Sequence, residues 1–247
     1  MKKFLFPITI LLLIAAGCKT GDPNDVDVKN YTLNDSVYFE NEYNEGFSHF
    51  NVCLDLPITK NKTLYQSIIH WMLNDETEDH EAFVKSMRDS FFDEDGSEPG
   101  SVYEENYTLT EQTDKYVTYI NEGSMYTGGA HAMPWYNGTT FSKIDGSIVG
   151  YDLFKDPEQL LYIIAENIEK QYFAKYEEEE DLMFEYDVIN ILPDNEPWIE
   201  TDCVVFCYQP NEIAPFAAGM PLCKIALTDL EPYLSDKGKS FLNNPIP

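Results

Sequence analysis

Apolar and polar residues alternate in the first third of the chain. From Phe50 to Leu56 every second residue is apolar, and this period of two predicts a half-buried strand. The next two stretches repeat their apolar residues every three to four positions. They predict amphipathic helices over about 63–73 and 79–92.

The remainder of the chain mixes the same two patterns. Alternation over 107–120 predicts a long strand or a hairpin partner, and Asp156-Pro157 predicts a capped helix start. Strands and helices come in blocks without regular βαβ alternation, so the expected fold class is α+β. We expect mainly antiparallel sheets with packed helices, in two small α+β subdomains. Three later apolar runs are predicted strands, at 198–200, 203–208 and 222–227.

The first residues have the pattern of an export signal. Lys2 and Lys3 precede an apolar stretch over 4–16, which is too short to span a bilayer. The sequence Ile14-Ala-Ala-Gly-Cys18 resembles the bacterial lipoprotein box, in which the Cys is lipidated. This interpretation predicts a signal peptide over 1–17 and a membrane anchor on Cys18, while a plain secreted protein is the alternative. The anchor should be stable, because several acyl chains bury more methylene groups than one myristoyl chain.

The segment after Cys18 predicts a connection to a folded region. Residues 18–30 are polar and turn-prone, as expected for an acidic tether. The predicted domains are an N-terminal α+β companion domain over 31–105 and a C-terminal α+β domain over 106–247. Lys19 stands where some bacterial lipoproteins carry an Asp that retains them in the inner membrane. An outer-membrane location is therefore expected, and the sequence does not distinguish the periplasmic face from the cell-surface face.

Charge excludes one class of partner. The chain has 247 residues, with 44 Asp and Glu against 16 Lys and Arg, and its formal net charge is -28. Removing residues 1–17 takes away two Lys and gives -30. Phosphate backbones need clustered cationic side chains, so nucleic-acid binding is excluded. Because 43% of the residues are hydrophobic, the chain is expected to be a globular protein with an acidic surface and not a disordered one.

Four cysteines remain beyond Cys18, namely Cys53, Cys203, Cys207 and Cys223. In a predicted strand, the Cα atoms of Cys203 and Cys207 lie about 13 Å apart, too far for a disulfide between them. Either one could meet Cys223 or Cys53 on a neighbouring strand, and four buried free thiols are equally compatible with the sequence. No CxxC or HxxxH spacing accompanies them, which disfavours a metal site.

No residue pattern predicts catalysis. The four His residues are scattered, and carboxylates are so numerous that a glycosidase pair has no discriminating value. The sequence has no nucleophile elbow, phosphate loop or dinucleotide fingerprint. We therefore predict no catalytic residue, no metal ligand and no cofactor.

Two motifs carry a family resemblance. The first is Tyr126-Thr-Gly128-Gly129-Ala-His131, followed by an Asp-Leu-Phe element at residues 152–154. The second is the segment 208–219, which contains Asn-Glu-Ile-Ala-Pro and ends in Gly. Together they resemble a family of exported bacterial domains of unknown function. That family includes the ectodomain of RsiV, a lysozyme-sensing anti-sigma factor, and the amino-terminal part of PdaC-type peptidoglycan deacetylases.

The resemblance covers roughly 106–234, and a weaker likeness over 47–74 implies the companion domain. The sequence lacks a deacetylase domain and a transmembrane segment, so neither deacetylation nor sigma-factor control is implied. The candidate ligand-binding residues are Tyr126, Gly128, Gly129, His131 and Trp135. The motif residues expected to be structural are Asp152, Leu153, Phe154, Asn211, Glu212, Ala214, Pro215 and Gly219.

Charge and resemblance together lead to one functional hypothesis. We expect a non-catalytic cell-envelope lipoprotein that binds a cationic protein, such as a lysozyme-like protein, or an envelope glycan, because acidic charge accelerates encounter with basic proteins. One alternative is an enzyme or accessory domain that acts on peptidoglycan or another glycan. Another is a structural component of an outer-membrane assembly.

Overall fold

The computed structural model describes residues 24–40, 42–74, 79–95, 98–176 and 189–242. The predicted signal peptide, the lipidation site Cys18 and the acidic run Glu177–Asp181 lie outside these residues. The strands are β1 Asp27–Glu40, β2 Glu45–Ile58, β3 Val102–Gln112, β4 Tyr116–Tyr126, β5 Met133–Ser142, β6 Ile148–Val149, β7 Trp198–Glu200, β8 Cys203–Cys207 and β9 Leu222–Ala226. The helices are α1 Lys62–Leu73, α2 His80–Ser90, α3 Leu161–Gln171, α4 Leu227–Leu230 and α5 Asp236–Leu242.

Shorter helical turns complete the secondary structure. A π-helical turn, Phe91–Asp95, continues from α2. The 3-10 turns are Tyr151–Leu153, Pro157–Leu160, Phe173–Tyr176, Phe216–Ala218 and Glu231–Tyr233. Among the residues described, no helix is both long and apolar enough to cross a membrane.

The strands form two sheets, and most pairs are antiparallel. The first sheet has the order β1-β2-β3-β4-β5-β6 and the second the order β7-β8-β9. Strands β1 and β2 pair antiparallel from Asp27 opposite Ile58 to Glu40 opposite Glu45. The predicted α+β class with mainly antiparallel sheets is therefore confirmed. An unpredicted feature is the parallel pairing of β2 with β3, for which α1 and α2 provide the crossover.

The chain divides into two compact units. The first contains the described residues up to 109 together with 120–135, and the second contains 110–119 together with the residues from 136 onward. The predicted boundary between residues 105 and 106 falls inside β3. The difference arises because long strands carry the chain out of one unit and back again, which no single cut in the sequence can represent.

The predicted tether was too long at its C-terminal end. Strand β1 begins at Asp27, and Val26 before it is only 2% exposed. Residues 27–30 pair with Asp55–Ile58 of β2. Their backbone groups gain hydrogen-bond partners that a free tether would lack, so a polar sequence becomes the first part of a strand.

Helices of the first unit begin where the sequence offers a side-chain cap. The Asn61 side chain accepts a hydrogen bond from the Leu64 amide at 3.1 Å, and Asp79 accepts from the Ala82 amide at 2.9 Å. Such bonds satisfy amides that have no partner within the helix. The apolar faces of α1 and α2 bury Leu64, Ile68 and Val84 completely.

The core of the second unit lies around β7-β8-β9 and α3. The apolar stripe that packs on this core consists of Leu160 in the preceding 3-10 turn and of Ile164 and Ile168 on α3, and all three are fully buried. The predicted helix start at Asp156 is wrong in detail, because a 3-10 turn precedes α3 and Asp156 makes no capping bond to the backbone. Its carboxylate instead accepts a hydrogen bond from the Gln159 side chain at 2.9 Å.

Candidate ligand-binding site

The Gly-Gly-Ala-His segment forms the exposed turn between β4 and β5. Gly128 and Gly129 have φ angles of 110° and 95°, and a side chain at either position would meet no atom within 4 Å. Backbone conformation, and not lack of space, therefore favours glycine at both positions. Tyr126 at the end of β4 closes the turn, as its hydroxyl donates to the Gly129 carbonyl at 3.1 Å.

His131 and Trp135 lie in different environments along this hairpin. The His131 side chain is exposed, and its Nδ1 lies 3.3 Å from the Ala132 carbonyl oxygen. Trp135 is half-buried on β5 and covers Gly123 of β4. A Cβ atom at Gly123 would come within 2.4 Å of the indole Cζ2 atom. Gly123 is therefore what allows the indole to lie on the strand.

A cavity of about 340 Å³ lies next to this hairpin, within the first unit. We name it the aromatic cleft. Buried rings form its floor, half-buried apolar side chains form its walls, and two exposed serines border its opening. The floor consists of Phe50 and Phe91, the walls consist of Phe83, Met87, Tyr103 and Met125, and the opening is bordered by Ser86 and Ser90. The Trp135 ring centroid is 5.9 Å from that of Tyr103, so the indole extends the aromatic surface.

Tyr103 is held in place from below by a buried carboxylate. Its ring stacks on Phe50 with centroids 5.1 Å apart and planes 9° from parallel. Its hydroxyl donates to Glu105 at 2.7 Å, and Asn121 donates to the other oxygen of Glu105 at 3.1 Å. Burial, reinforced by the Glu105 charge, raises the pKa of both the Tyr103 and Tyr107 hydroxyls. Both phenols therefore stay protonated even in alkaline solution, and the bond from Tyr103 to Glu105 keeps this wall of the cleft in one orientation.

The opposite wall, helix α2, is tied to the sheet by an ion pair. The Arg88 guanidinium donates to Asp35 of β1 at 2.8 Å. The Asp35 side chain is 6% exposed and that of Arg88 is 16% exposed. A buried carboxylate is costly without a partner, so this pair favours the observed position of α2.

The Asp-Leu-Phe element lies in the second unit and makes structural contacts. Asp152 accepts from the Gly150 amide at 3.2 Å and forms an ion pair with Lys237. Leu153 and Phe154 are buried. The Leu153 carbonyl accepts from the Ser235 amide at 2.9 Å, which joins this element to the C-terminal helices.

The second motif forms a corner around Glu212. Its two carboxylate oxygens accept from the amides of Gln209 and Asp194, at 2.6 and 2.7 Å. Burial raises the pKa of this carboxyl, and the two backbone donors oppose the rise. Asn211 has a φ of 70°, a conformation that Asn adopts more readily than most residues. The motif thus fastens two loops of the second unit together.

Ala214, Pro215 and Gly219 complete this corner. Ala214 is buried, and Pro215 precedes the turn Phe216–Ala218. Gly219 has a φ of 77°, and a side chain there would meet the Tyr172 hydroxyl at 2.9 Å. That hydroxyl donates to the Ala218 carbonyl at 2.6 Å, so the corner is also bonded to the end of α3.

The cysteines of the described residues are free thiols. Cys53, Cys203, Cys207 and Cys223 form no disulfide. The alternative of four buried thiols is right for Cys207 and Cys223 and wrong for Cys53 and Cys203, which are half-buried. Burial raises the pKa of both Cys207 and Cys223 to about 12, which makes them unreactive at neutral pH. In the part of the chain that the structure describes, no three His, Cys, Asp or Glu side chains converge as metal ligands.

Sequence reasoning missed most of the cleft. Phe83 and Met87 belong to the apolar face predicted for α2, and such a face is most often buried in a core. Tyr103 and Met125 lie on strands far apart in sequence. No local signal marks the place where an apolar face is only partly covered. Trp135 was the one predicted residue in contact with a cleft wall.

Solved structures of other proteins have a similar α+β fold. A DUF3298 family member from Bacteroides fragilis matches with a TM-score of 0.65 at 16% sequence identity, covering 87% of this chain and 96% of that one. A DUF3298 family protein from Pseudomonas aeruginosa matches with a TM-score of 0.60 at 17% identity, covering 87% and 97%.

The sequence comparison agrees over part of the chain. Residues 151–227 match the family described as a protein of unknown function, DUF3298. This region contains both the Asp-Leu-Phe element and the Glu212 corner. No protein with a curated description matches the chain.

Proposed function

We propose that this protein is a non-catalytic cell-envelope lipoprotein that binds a cationic protein, with a lysozyme-like protein as the first candidate. The observation that carries the proposal is the combination of a net charge of -28 with the partly exposed aromatic cleft. The charge increases the rate of encounter with a basic partner. The cleft offers the apolar contact that a specific interface also needs. The sequence also resembles a lysozyme-sensing ectodomain. Lysozyme is a basic protein, so a negatively charged chain would attract it.

A pull-down of lysozyme with the purified protein tests this function. We expect retention at low salt that weakens at high salt, because exposed charges are screened over about 10 Å at 0.1 M ionic strength. Succinylated lysozyme is the matched control, since it keeps the protein's surface shape but reverses its charge. Absence of lysozyme retention at both salt concentrations would refute the lysozyme proposal.

The envelope location is a separate part of the proposal. A positively charged start, an apolar stretch and Cys18 support a lipid anchor, and Lys19 supports the outer membrane. Metabolic labelling with a fatty acid should mark the wild-type protein and leave Cys18→Ser unlabelled. Equal labelling of the two proteins would place the lipid elsewhere.

An envelope glycan is the second candidate ligand, and the outer face of the β1-β2 hairpin favours it. Tyr38 and Phe47 make an edge contact with ring centroids 5.3 Å apart, and Phe47 stacks on His49 at 6.4 Å. Phe47 is 45% exposed. Tyr38 donates to Glu45 at 2.7 Å, and the Ser36 hydroxyl lies 2.8 Å from His49 Nδ1. This face therefore presents both apolar rings and hydrogen-bonding groups, which match the two kinds of surface on a sugar.

Sedimentation with purified peptidoglycan sacculi tests this second candidate. We expect the wild-type protein to cosediment and Phe47→Ala to remain largely in solution. Phe83→Ala, which changes the cleft and not the hairpin face, is the control. Sedimentation of Phe47→Ala at the wild-type level would exclude this face as the glycan site.

A further inference from the structure

The aromatic cleft has a size suited to one chemical group. Its volume of about 340 Å³ lies at the lower end of the range of about 300–1,000 Å³ that ligand pockets occupy. Such a space suits a single ring system better than an extended chain of several groups. Its walls are fixed by the Tyr103–Glu105 bond on one side and the Arg88–Asp35 pair on the other. The site is therefore largely formed before any ligand binds.

The lining determines the character of that group. Of the eight described lining residues, four are aromatic, two are Met and two are Ser, and none carries a formal charge. Methionine side chains adapt to different apolar shapes and contact aromatic rings favourably. The group that enters the cleft should therefore be apolar and preferably aromatic, while any positive charge on the ligand stays outside.

Exposure of the lining points to a partner and not to internal packing. Phe83, Met87, Tyr103 and Met125 are half-buried, although each could bury more apolar surface. Anchors of protein interfaces are frequently aromatic side chains that fill a pocket on the partner. In an acidic protein, such an anchor fits a basic partner, because the charge attracts it before the apolar contact forms.

We infer that the aromatic cleft receives one aromatic side chain of the cationic partner, while surface carboxylates supply the long-range attraction. This inference rests on the proposed function. The binding free energy should then have two parts. The electrostatic part weakens with salt and does not depend on the cleft. The apolar part depends on the cleft and changes little with salt.

Titration calorimetry with two short peptides separates these parts. The peptides are Lys-Lys-Trp-Lys-Lys and Lys-Lys-Gly-Lys-Lys, which carry equal charge. We expect the full-length protein to bind the Trp peptide about 10-fold more tightly. The preference should persist as salt is raised, while both affinities fall.

Two variants and one control assign the preference to the cleft. Phe83→Ala removes a wall, and Met125→Gln keeps the shape of the side chain but adds a polar group. Both should lower the preference for the Trp peptide to less than about 2-fold. Tyr43→Ala, which removes an exposed ring of the same unit that belongs to neither candidate site, should leave it unchanged. A preference that survives in both cleft variants would overturn the inference.

A spectroscopic measurement on the wild-type protein removes any dependence on variant folding. The Trp peptide should shift the isotopically labelled methyl signals of Met87 and Met125 through its ring current, and the Gly peptide should not. Equal affinity for the two peptides, without these shifts, would overturn the inference that the cleft binds an aromatic side chain. It would leave the proposal of charge-driven binding intact. If neither peptide bound, both the inference and the proposed cationic partner would fail.

Discussion

Core aromatic residues of the second unit are fully covered, whereas several aromatic residues of the first unit border open space. In the second unit Trp198, Phe206 and Tyr208 are at most 1% exposed and lie in or next to the sheet that α3 packs against. In the first unit Phe83 and Tyr103 remain half-buried around a cavity. The comparison shows that aromatic content alone does not distinguish a core from a binding site. What differs is whether another element covers the rings.

Truncation of one ring in each unit should reveal the largest difference. Phe206→Ala leaves a void in a closed core and should lower the free energy of unfolding by about 3–5 kcal/mol. Phe83→Ala removes a ring that already borders open space, and should cost about 1 kcal/mol. Urea unfolding followed by far-ultraviolet circular dichroism and by Trp fluorescence gives both values. Similar losses would show that the cleft is part of a core.

Glycines of the two units should respond differently to a methyl group. Gly138 in the second unit has Trp198 ring atoms within 2.2 to 2.5 Å of its hypothetical Cβ, so Gly138→Ala should lose about 1–3 kcal/mol through overpacking. Gly129→Ala meets no atom and should lose about 1 kcal/mol through its positive φ alone. Thermal unfolding of the two variants measures the difference. A larger loss for Gly129→Ala would indicate a packed turn.

Glu212 tests whether the second motif is a structural corner. Glu212→Gln keeps one acceptor oxygen and loses the other, so one of two backbone amides is left without its acceptor, at a cost of about 1–3 kcal/mol. The folded-state pKa of Glu212 lies above its ordinary value of 4.5. Its contribution to stability is therefore fully present below the unfolded pKa and is lost as pH rises through the folded pKa.

The excess stability of the wild type over Glu212→Gln should consequently shrink as pH increases from about 4.5. Unfolding curves of both proteins from about pH 4 to about pH 8 give this difference directly. The other carboxylates titrate alike in both proteins, so their contribution cancels in the stability difference. A stability difference that grows with pH would show that folding lowers the pKa of Glu212 and does not raise it.

The smallest effect should come from the ion pair of the Asp-Leu-Phe element. The side chains of Lys237 and Asp152 are 51% and 46% exposed, and exposed pairs contribute little. Lys237→Met should change the free energy of unfolding by less than about 0.5 kcal/mol. Chemical denaturation at low and high salt measures this change. A loss above 1 kcal/mol would make the pair a structural element of the motif.

Local patterns were sufficient for much of the fold but not for the parallel pairing. Alternation in β2 and the three-to-four-residue repeats of α1 and α2 predicted these elements, since each buries one face along a regular period. The pairing of β2 with β3 joins residues about fifty positions apart, such as Phe50 and Tyr103. Such pairing depends on how α1 and α2 pack, and no local period records it.

The candidate site was predicted only where it depends on local backbone geometry. Gly128 and Gly129 were recognisable because a turn with positive φ favours glycine. Trp135 was also among the predicted residues, and its ring contacts Tyr103 of the cleft. Phe83, Met87 and Met125 were not, because an apolar face that borders a cleft has the same sequence pattern as one that is fully buried.

By itself the sequence determined the charge, the α+β class, the helices α1 and α2, and the strands β2, β7, β8 and β9. Each of these follows from composition or from contacts between residues close in the chain. Tertiary structure alone decided that Asp27–Asn30 join a strand, that 120–135 belong to the first unit, and that four aromatic rings and two methionines surround a cavity. These outcomes depend on which surfaces remain uncovered after distant segments have packed, and that is a property of the whole chain.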